Sequence, residues 1–167
     1  MLPNFYTILA CGLIPFLVAF IWYHPKVFGG DNWQKIVGLT DEQTAIKVSP
    51  FKLFLSILLN VLIAFGLYLV CVHQSGILGI LAGDFEAVSS GTAKAFMDEY
   101  GTNELGFAHG MFHGLKSGTI AFVLPVLGYV VIFERKSAKY FWVNIGFWAI
   151  SLMLMGGVIG EWGWQQI

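Results

Sequence analysis

Two histidines one helical turn apart are the residues whose type and spacing most directly suggest chemistry. His109 and His113 are four positions apart, so both side chains share one face of a helix. Such a pair can ligate a metal ion, although a zinc site takes three or four protein ligands. The spacing leaves three alternatives open: a structural or interfacial role, a polar pocket that handles protons or anions, and a metal site.

Four more ionisable side chains are expected at the same end of the predicted helices. They are His73, Glu104, Lys116 and Glu161. Ionisable groups inside a membrane span are costly and are functional candidates, but a lysine near the surface can also extend its amine to water. A pairing of Lys116 with Glu161 would satisfy both charges and fits either interpretation.

Catalytic motifs of soluble enzymes are absent from the sequence. It contains no P-loop, no dinucleotide-binding glycine fingerprint, no serine elbow and no HExxH motif. We therefore expect no cofactor and assign no catalytic residue. The formal charge of −1 offers no basic face, so nucleic acid is not an expected partner.

Membrane helices are the elements that must position these residues. Of the 167 residues, 57% are hydrophobic and 11% charged, whereas soluble domains carry about 25% charged residues. A helix needs about 20 apolar residues to cross a bilayer. Four segments meet this requirement: 5–23, 51–72, 105–133 and 140–160. The sequence therefore predicts a single all-α transmembrane domain, 1–167, folded as an integral membrane four-helix bundle.

The distribution of basic residues predicts how the bundle is oriented. Lysines and arginines concentrate in loops 24–50 and 134–139, and such residues near span ends stay cytoplasmic. Both termini and the acidic loop 82–104 are then expected outside, in a bacterial cytoplasmic (inner) membrane. Short interfacial helices are expected in the first two loops, one of them opened by a capping box at Thr40–Gln43.

A glycine stripe in the third span predicts close helix packing. Glycines recur there every four residues, and the fourth span offers a complementary surface; the residues are Gly106, Gly110, Gly114, Gly118, Gly156 and Gly160. Small residues at this spacing let helix backbones approach each other in lipid. The contact could form within one chain or between copies.

Aromatic and amide side chains complete the set of candidate structural residues. An interfacial anchor and turn is expected where span one ends, from Trp22, Tyr23, Pro25, Phe28 and Trp33. Asn60 and Asn144 lie inside spans two and four, where we expect each to bond a neighbouring helix. Pro15 and Pro125 occupy matching positions in spans one and three, which suggests two parallel helical-hairpin repeats.

Several of these motifs resemble those of one family of bacterial membrane proteins, domain of unknown function 1761. The similar segments are Trp22 to Gly29 with Trp33, His113-Gly114, Phe133 to Lys136, Asn144 to Trp148 and Leu154 to Gly157. They are spread over nearly the whole chain, although loop 82–104 is longer and more acidic than the family pattern. The resemblance implies a compact four-helix membrane protein and brings no known activity.

The leading functional hypothesis is a non-enzymatic membrane protein that works by helix–helix assembly, as a homo-oligomer or an accessory subunit. Its expected partners are the lipid bilayer and a second copy or another membrane protein. The first alternative is a small transporter or channel with an outward-facing pocket of histidine, lysine and glutamate. The second is a metal-dependent membrane enzyme, for which His109 and His113 are the candidate ligands.

Overall fold

Four long apolar helices form the protein. The computed structural model describes residues 2–24, 26–27 and 31–165. The helices long and apolar enough to cross a membrane are span one (Phe5–Trp22), span two (Pro50–Cys71), span three (Phe107–Phe133) and span four (Ala138–Trp162). The predicted all-α four-helix bundle is therefore confirmed. Hydropathy located the spans well because every backbone amide in a bilayer must find its partner within its own segment.

The spans are divided into shorter elements, with small helices in the loops between them. In chain order the helices are α1 (Phe5–Cys11), α2 (Ile14–Trp22), α3 (Asp31–Val37), α4 (Asp41–Ala45), α5 (Pro50–Cys71), α6 (Ser75–Ile80), α7 (Phe85–Val88), α8 (Gly91–Tyr100), α9 (Phe107–His113), a π segment (Gly114–Val123), α10 (Leu124–Phe133) and α11 (Ala138–Trp162). The capping box predicted for the first loop is present, since Gln43 N–H donates to Thr40 Oγ1 over 3.2 Å.

Span three is irregular over its middle third. In the π segment, Thr119 Oγ1 donates to the carbonyl of Gly114, five residues earlier, over 3.3 Å. Pro125 lies in the first turn of the helix that follows, where its missing N–H removes one ordinary helical bond. A wide π turn next to a proline keeps the chain helical although the regular bonding pattern is interrupted.

Span four is the centre of the bundle. Of its most apolar stretch 56% is buried, against 11% for span three, and it contacts each of the other three spans. The core consists of small and branched side chains from spans one, two and four, including Ile8, Ala64, Leu67, Met155 and Ile159. The remaining faces are apolar and exposed, which is the pattern expected for helices surrounded by lipid.

The two ends of the bundle differ in composition. At one end β1 (Leu2–Pro3) pairs antiparallel with β2 (Trp164–Gln165), so both ends of the described chain meet there. This end also carries His73, His109 and His113, and we call it the histidine end. At the opposite end, the basic end, loop 134–137 contacts the first loop through Lys136 Nζ and the carbonyl of Val37, 3.2 Å apart.

Candidate metal centre

A backbone-to-backbone contact between α9 and α11 fixes the position of the histidine-bearing helix. Gly110 lies directly against the carbonyl of Gly156, and a Cβ on either residue would overlap the opposite backbone. Gly114 lies equally close to the carbonyl of Leu152. Gly106 N–H donates to the carbonyl of Gly160 over 3.0 Å, so the contact includes a hydrogen bond between the two spans. The glycine stripe thus packs within the chain.

The fourth glycine of the stripe marks where this contact loosens. A Cβ on Gly118 would meet only the flexible side chain of Leu152, at 3.1 Å. Gly118 lies within the π segment, whose wider turn moves successive residues out of the four-residue stripe. Helices α9 and α11 are therefore held most tightly at the histidine end.

Glu161 holds the start of α9. Its Oε2 atom accepts a hydrogen bond from Phe107 N–H over 2.9 Å. The first amides of a helix have no partner within it, and a carboxylate at that end also interacts favourably with the helix dipole. Span four therefore caps span three as well as packing against it, and this fixes the helix that carries His109 and His113.

Three imidazoles meet at this end of the bundle. His73 follows α5, while His109 and His113 lie on α9. His73 Nε2 and His113 Nε2 are 3.2 Å apart, and one ring nitrogen from each of the three residues lies within 4.8 Å of the others. Tetrahedral zinc holds its nitrogens at about 2.0–2.1 Å, which puts neighbouring nitrogens about 3.3 Å apart. The closest pair already has this spacing, and ring rotation can bring in the third.

The hydrogen bonding of His109 is that of a metal ligand with an orienting carboxylate. Its Nδ1 lies 3.3 Å from Glu104 Oε2. Among the described residues, its Nε2 is buried and has no hydrogen-bond partner, and the same is true of His113 Nδ1. A carboxylate on one nitrogen places the proton there and leaves the lone pair of the other nitrogen free for a metal. Three imidazoles suit zinc, copper, iron or nickel.

Only part of the predicted polar pocket forms. His73, Glu104, His109 and His113 come together, as described above. Lys116 does not join them, because its Nζ lies over the Phe112 ring, 5.6 Å from the centroid. The expected ion pair between Lys116 and Glu161 is not formed: no described carboxylate lies within 4.0 Å of Lys116, and Glu161 bonds the start of α9 instead.

The aromatic anchor packs against span four at the basic end. Trp22 Nε1 donates to the carbonyl of Val143 over 3.2 Å. The Tyr23 and Trp33 rings lie 4.5 Å apart, and Trp33 stacks on Tyr140 at 6.4 Å. The other two predicted anchor residues, Pro25 and Phe28, lie outside the described residues. These aromatics therefore join the first loop to the last span as well as marking the end of a helix.

The two intramembrane asparagines behave differently from each other. Asn144 Nδ2 donates to the carbonyl of Tyr140 over 2.8 Å, a bond within its own helix and not the expected bond to a neighbouring one. Asn60 is 8% exposed and lines a cavity between spans one, two and four together with Pro15 and Phe147. An asparagine within a helix can bond the carbonyl one turn before it, and the sequence alone does not reveal that choice.

Sequence reasoning missed one residue that supports the site, Gln74. Gln74 Nε2 donates to the carbonyl of Asn103 over 2.7 Å, which ties the segment after His73 to the segment before Glu104. Gly157 packs against the Phe107 ring, and a Cβ there would lie 2.8 Å from it. The glycine pair at 156 and 157 already indicated a packing surface on span four, whereas a lone glutamine in a loop gives no such signal.

The fold and the site together define a class: a small α-helical membrane protein of four spans with a histidine cluster at one end. One protein-family model, described as protein of unknown function (DUF1761), matches residues 6–160. The chain therefore belongs to the DUF1761 family, and the resemblance seen in its aromatic and glycine motifs is confirmed. No curated protein and no solved structure matched the chain. Since the function of the family is unknown, the functional argument rests on the site.

Proposed function

We propose that this protein binds one divalent transition-metal ion of the zinc class through His73, His109 and His113. The observation that carries the proposal is the state of His109, one nitrogen of which faces a carboxylate while the other is buried and free among the described residues. A buried polar atom without a partner is costly. A metal ion held by His73 Nε2 and His113 Nε2, which are 3.2 Å apart, would satisfy it.

The donor set indicates how such an ion would behave. Three neutral imidazoles leave the metal's two positive charges largely uncompensated, with Glu104 as the nearby carboxylate. Zinc sites with three protein ligands keep a fourth position for water or another exchangeable ligand, while purely structural sites use four protein ligands. We therefore infer an open site that can bind an additional ligand from the aqueous side.

Metal titration of the purified protein tests the proposal. Protein without a polyhistidine tag is stripped with a chelator in detergent and titrated with Zn²⁺ in a calorimeter, and its metal content is measured after dialysis. We expect one ion per chain, and at least a tenfold weaker affinity for His109→Ala and for His113→Ala. His24→Ala is the matched control, because His24 is exposed at the opposite end.

Cobalt spectra and melting curves complete the test. Co²⁺ in place of zinc should give the intense visible bands of tetrahedral coordination in wild type and in His24→Ala. Melting curves of each variant without metal separate lost binding from lost folding. Failure of well-folded wild-type protein to bind Zn²⁺, or equal binding by wild type and the His109→Ala and His113→Ala variants, would overturn the proposal.

A second candidate function is assembly with another copy or another membrane protein. The glycine stripe no longer favours it, because the stripe is used inside the chain. Support comes instead from α10, in which no described residue is buried. Native mass spectrometry of detergent-extracted protein tests this candidate, and a monomer at all concentrations would contradict it. Two cavities, both lined mainly by apolar side chains, give little support to a transporter or channel.

We further propose that the histidine end faces the outside of a bacterial cytoplasmic membrane. The support is the concentration of Lys26, Lys35, Lys47, Arg135, Lys136 and Lys139 in the two loops of the opposite end. Reporter fusions in those two loops should both report a cytoplasmic position, and a fusion in loop 82–104 an external one. Reporters from the two basic loops on opposite faces would contradict this orientation.

A further inference from the structure

An apolar groove lies between spans two, three and four, about one helical turn from the histidine cluster. It encloses about 320 Å³ and its lining includes Gly66, Val70, Ser117, Phe122, Trp148 and Leu152. Small-molecule pockets begin at about 300 Å³. Val70 precedes His73 by three residues and Ser117 follows His113 by four, so the groove starts next to the histidine end and extends toward the middle of the bundle.

Next in sequence to the groove is Lys116, which forms no ion pair among the residues that the structure describes. Lys116 immediately precedes Ser117, which lines the groove. Its ammonium group lies over the Phe112 ring, 5.6 Å from the centroid. Two carboxylates at the histidine end are engaged elsewhere, since Glu161 caps the start of α9 and Glu104 faces His109. A cation in a membrane span without a partner is costly, so an anion from outside the chain would be stabilising.

The depth of Lys116 indicates where that anion comes from. The stretch from Ser117 to Phe133 is about 25 Å long at about 1.5 Å per residue, and a hydrocarbon core is about 30 Å thick. Lys116 therefore lies close to the boundary at which lipid phosphates are found. The groove, by contrast, lies within the hydrocarbon, where acyl chains are the surrounding solvent.

We propose that the groove holds one acyl chain of an anionic phospholipid whose phosphate pairs with the ammonium group of Lys116. The apolar walls match the chain, and the cation one residue before the groove-lining Ser117 matches the headgroup charge. The site is independent of the metal centre, because none of the three histidines lines the groove. The lipid proposal would therefore stand even if the metal proposal failed.

Gly66 allows the groove to be filled without disturbing the bundle, and Gly128 provides a matched control. Apart from adjacent residues and the backbone of its own helix, no described heavy atom lies within 4 Å of the position that a Cβ on Gly66 would take, and Gly66 lines the groove. Gly66→Leu should therefore occupy the space of the acyl chain without a backbone clash. Gly128→Leu is the matched control, since its Cβ position is equally open and lies outside the groove lining.

A matched pair of lysines tests the headgroup. Lys116→Gln removes the charge beside the groove and keeps a side chain of similar length. Lys94→Gln is the control, because Lys94 lies in loop two and already has Asp98 as its partner at 2.6 Å. Neither variant removes a residue that packs in the core.

Native mass spectrometry of detergent-purified protein provides the readout. Protein is mixed with equal amounts of phosphatidylglycerol and phosphatidylcholine carrying identical acyl chains, and the retained lipids are identified and counted. We expect one retained phosphatidylglycerol, with about a fivefold preference over phosphatidylcholine. Lys116→Gln should abolish that preference, and Gly66→Leu should remove the retained lipid, while both controls behave as wild type.

Each contrary result would overturn the proposal. A wild-type protein without headgroup preference, or a Lys116→Gln variant that keeps it, would exclude the phosphate contact. Retained lipid at the same level in Gly66→Leu and Gly128→Leu would exclude the groove. Melting curves for all four variants confirm that the lipid counts compare folded proteins, and zinc titration of the same samples keeps this outcome separate from that of the metal site.

Discussion

His109 Nδ1 lies 3.3 Å from Glu104 Oε2, while the other nitrogen of the same ring is buried and has no partner among the described residues. A carboxylate in this position favours the proton on Nδ1, which leaves the lone pair of Nε2 for the metal ion that we propose. Because the Glu104 side chain is 79% exposed, solvent weakens its electrostatic contribution. Orientation of the ring is therefore its main effect.

Glu104→Gln should weaken zinc binding by about tenfold, the lower end of the range for partners of metal ligands. The amide can still accept a hydrogen bond from Nδ1–H, so the loss should be smaller than that of His109→Ala. Calorimetric titration of both variants makes the comparison. Glu86→Gln, an exposed glutamate in the same loop, is the control, and an equal effect at both glutamates would show that Glu104 has no special role.

Alanine substitutions along span three should destabilise the protein in a graded order. A Cβ at Gly110 overlaps the Gly156 carbonyl, one at Gly118 meets the movable Leu152 side chain at 3.1 Å, and one at Gly128 meets nothing within 4 Å. Overpacking typically costs about 1–3 kcal/mol. Gly110→Ala should therefore show the largest fall in melting temperature.

Thermal unfolding in detergent measures that order. Gly118→Ala should cause a small change, and Gly128→Ala should be neutral or slightly stabilising because alanine favours helix over glycine. Zinc affinity should fall in Gly110→Ala as well, since the substitution displaces the helix that carries His109 and His113. A melting temperature of Gly110→Ala equal to that of Gly128→Ala would contradict the backbone contact between spans three and four.

Gly146→Ala should loosen the basic end and leave the histidine end intact. A Cβ at Gly146 would lie 2.7 Å from the Trp22 ring, so the indole must move and its hydrogen bond to the Val143 carbonyl is weakened. Loss of such a bond costs about 0.5–1.5 kcal/mol. A lower melting temperature with unchanged zinc affinity is the expected pair of results, and an unchanged melting temperature would argue against the docking of Trp22 on span four.

Both cysteines should be unreactive in the folded protein. Cys11 and Cys71 are free and fully buried, so a bulky maleimide should label neither until the protein is denatured. Ser90→Cys places a thiol on an exposed position of loop two and should react within the native protein. Mass spectrometry counts the labels, and native labelling of Cys11 or Cys71 would show that the core opens between spans one, two and four.

The spans and the interacting surfaces could be predicted from sequence, because both depend on local patterns. Hydropathy gave four spans, and spacing placed Gly106, Gly110 and Gly114 on one helix face. Whether the contact forms within one chain or between copies could not follow from that spacing, since a small-residue stripe serves equally well in both cases. The structure places Gly156 and Gly160 of the same chain opposite the stripe.

The sequence predicted which polar residues lie at the histidine end of the bundle, but not which of them contact each other. Orientation of the spans brought His73 near His109 and His113, although they are far apart in sequence. Which groups meet within that end depends on competing hydrogen bonds. Glu161 bonds Phe107 N–H because α9 begins beside it, and this bond takes the carboxylate away from Lys116. No sequence pattern predicts that Glu161 bonds Phe107 N–H and not Lys116.

The π segment rotates one half of span three relative to the other about the helix axis. Each wide turn takes up an additional residue, so the half that contains Pro125 is rotated from where an uninterrupted α-helix would put it. Deleting one residue between Gly114 and Val123 would turn one half by about 100° relative to the other. The histidine half could keep its glycine contact with span four, while Lys116, the groove wall and the lipid-facing residues of α10 would no longer point in their present directions.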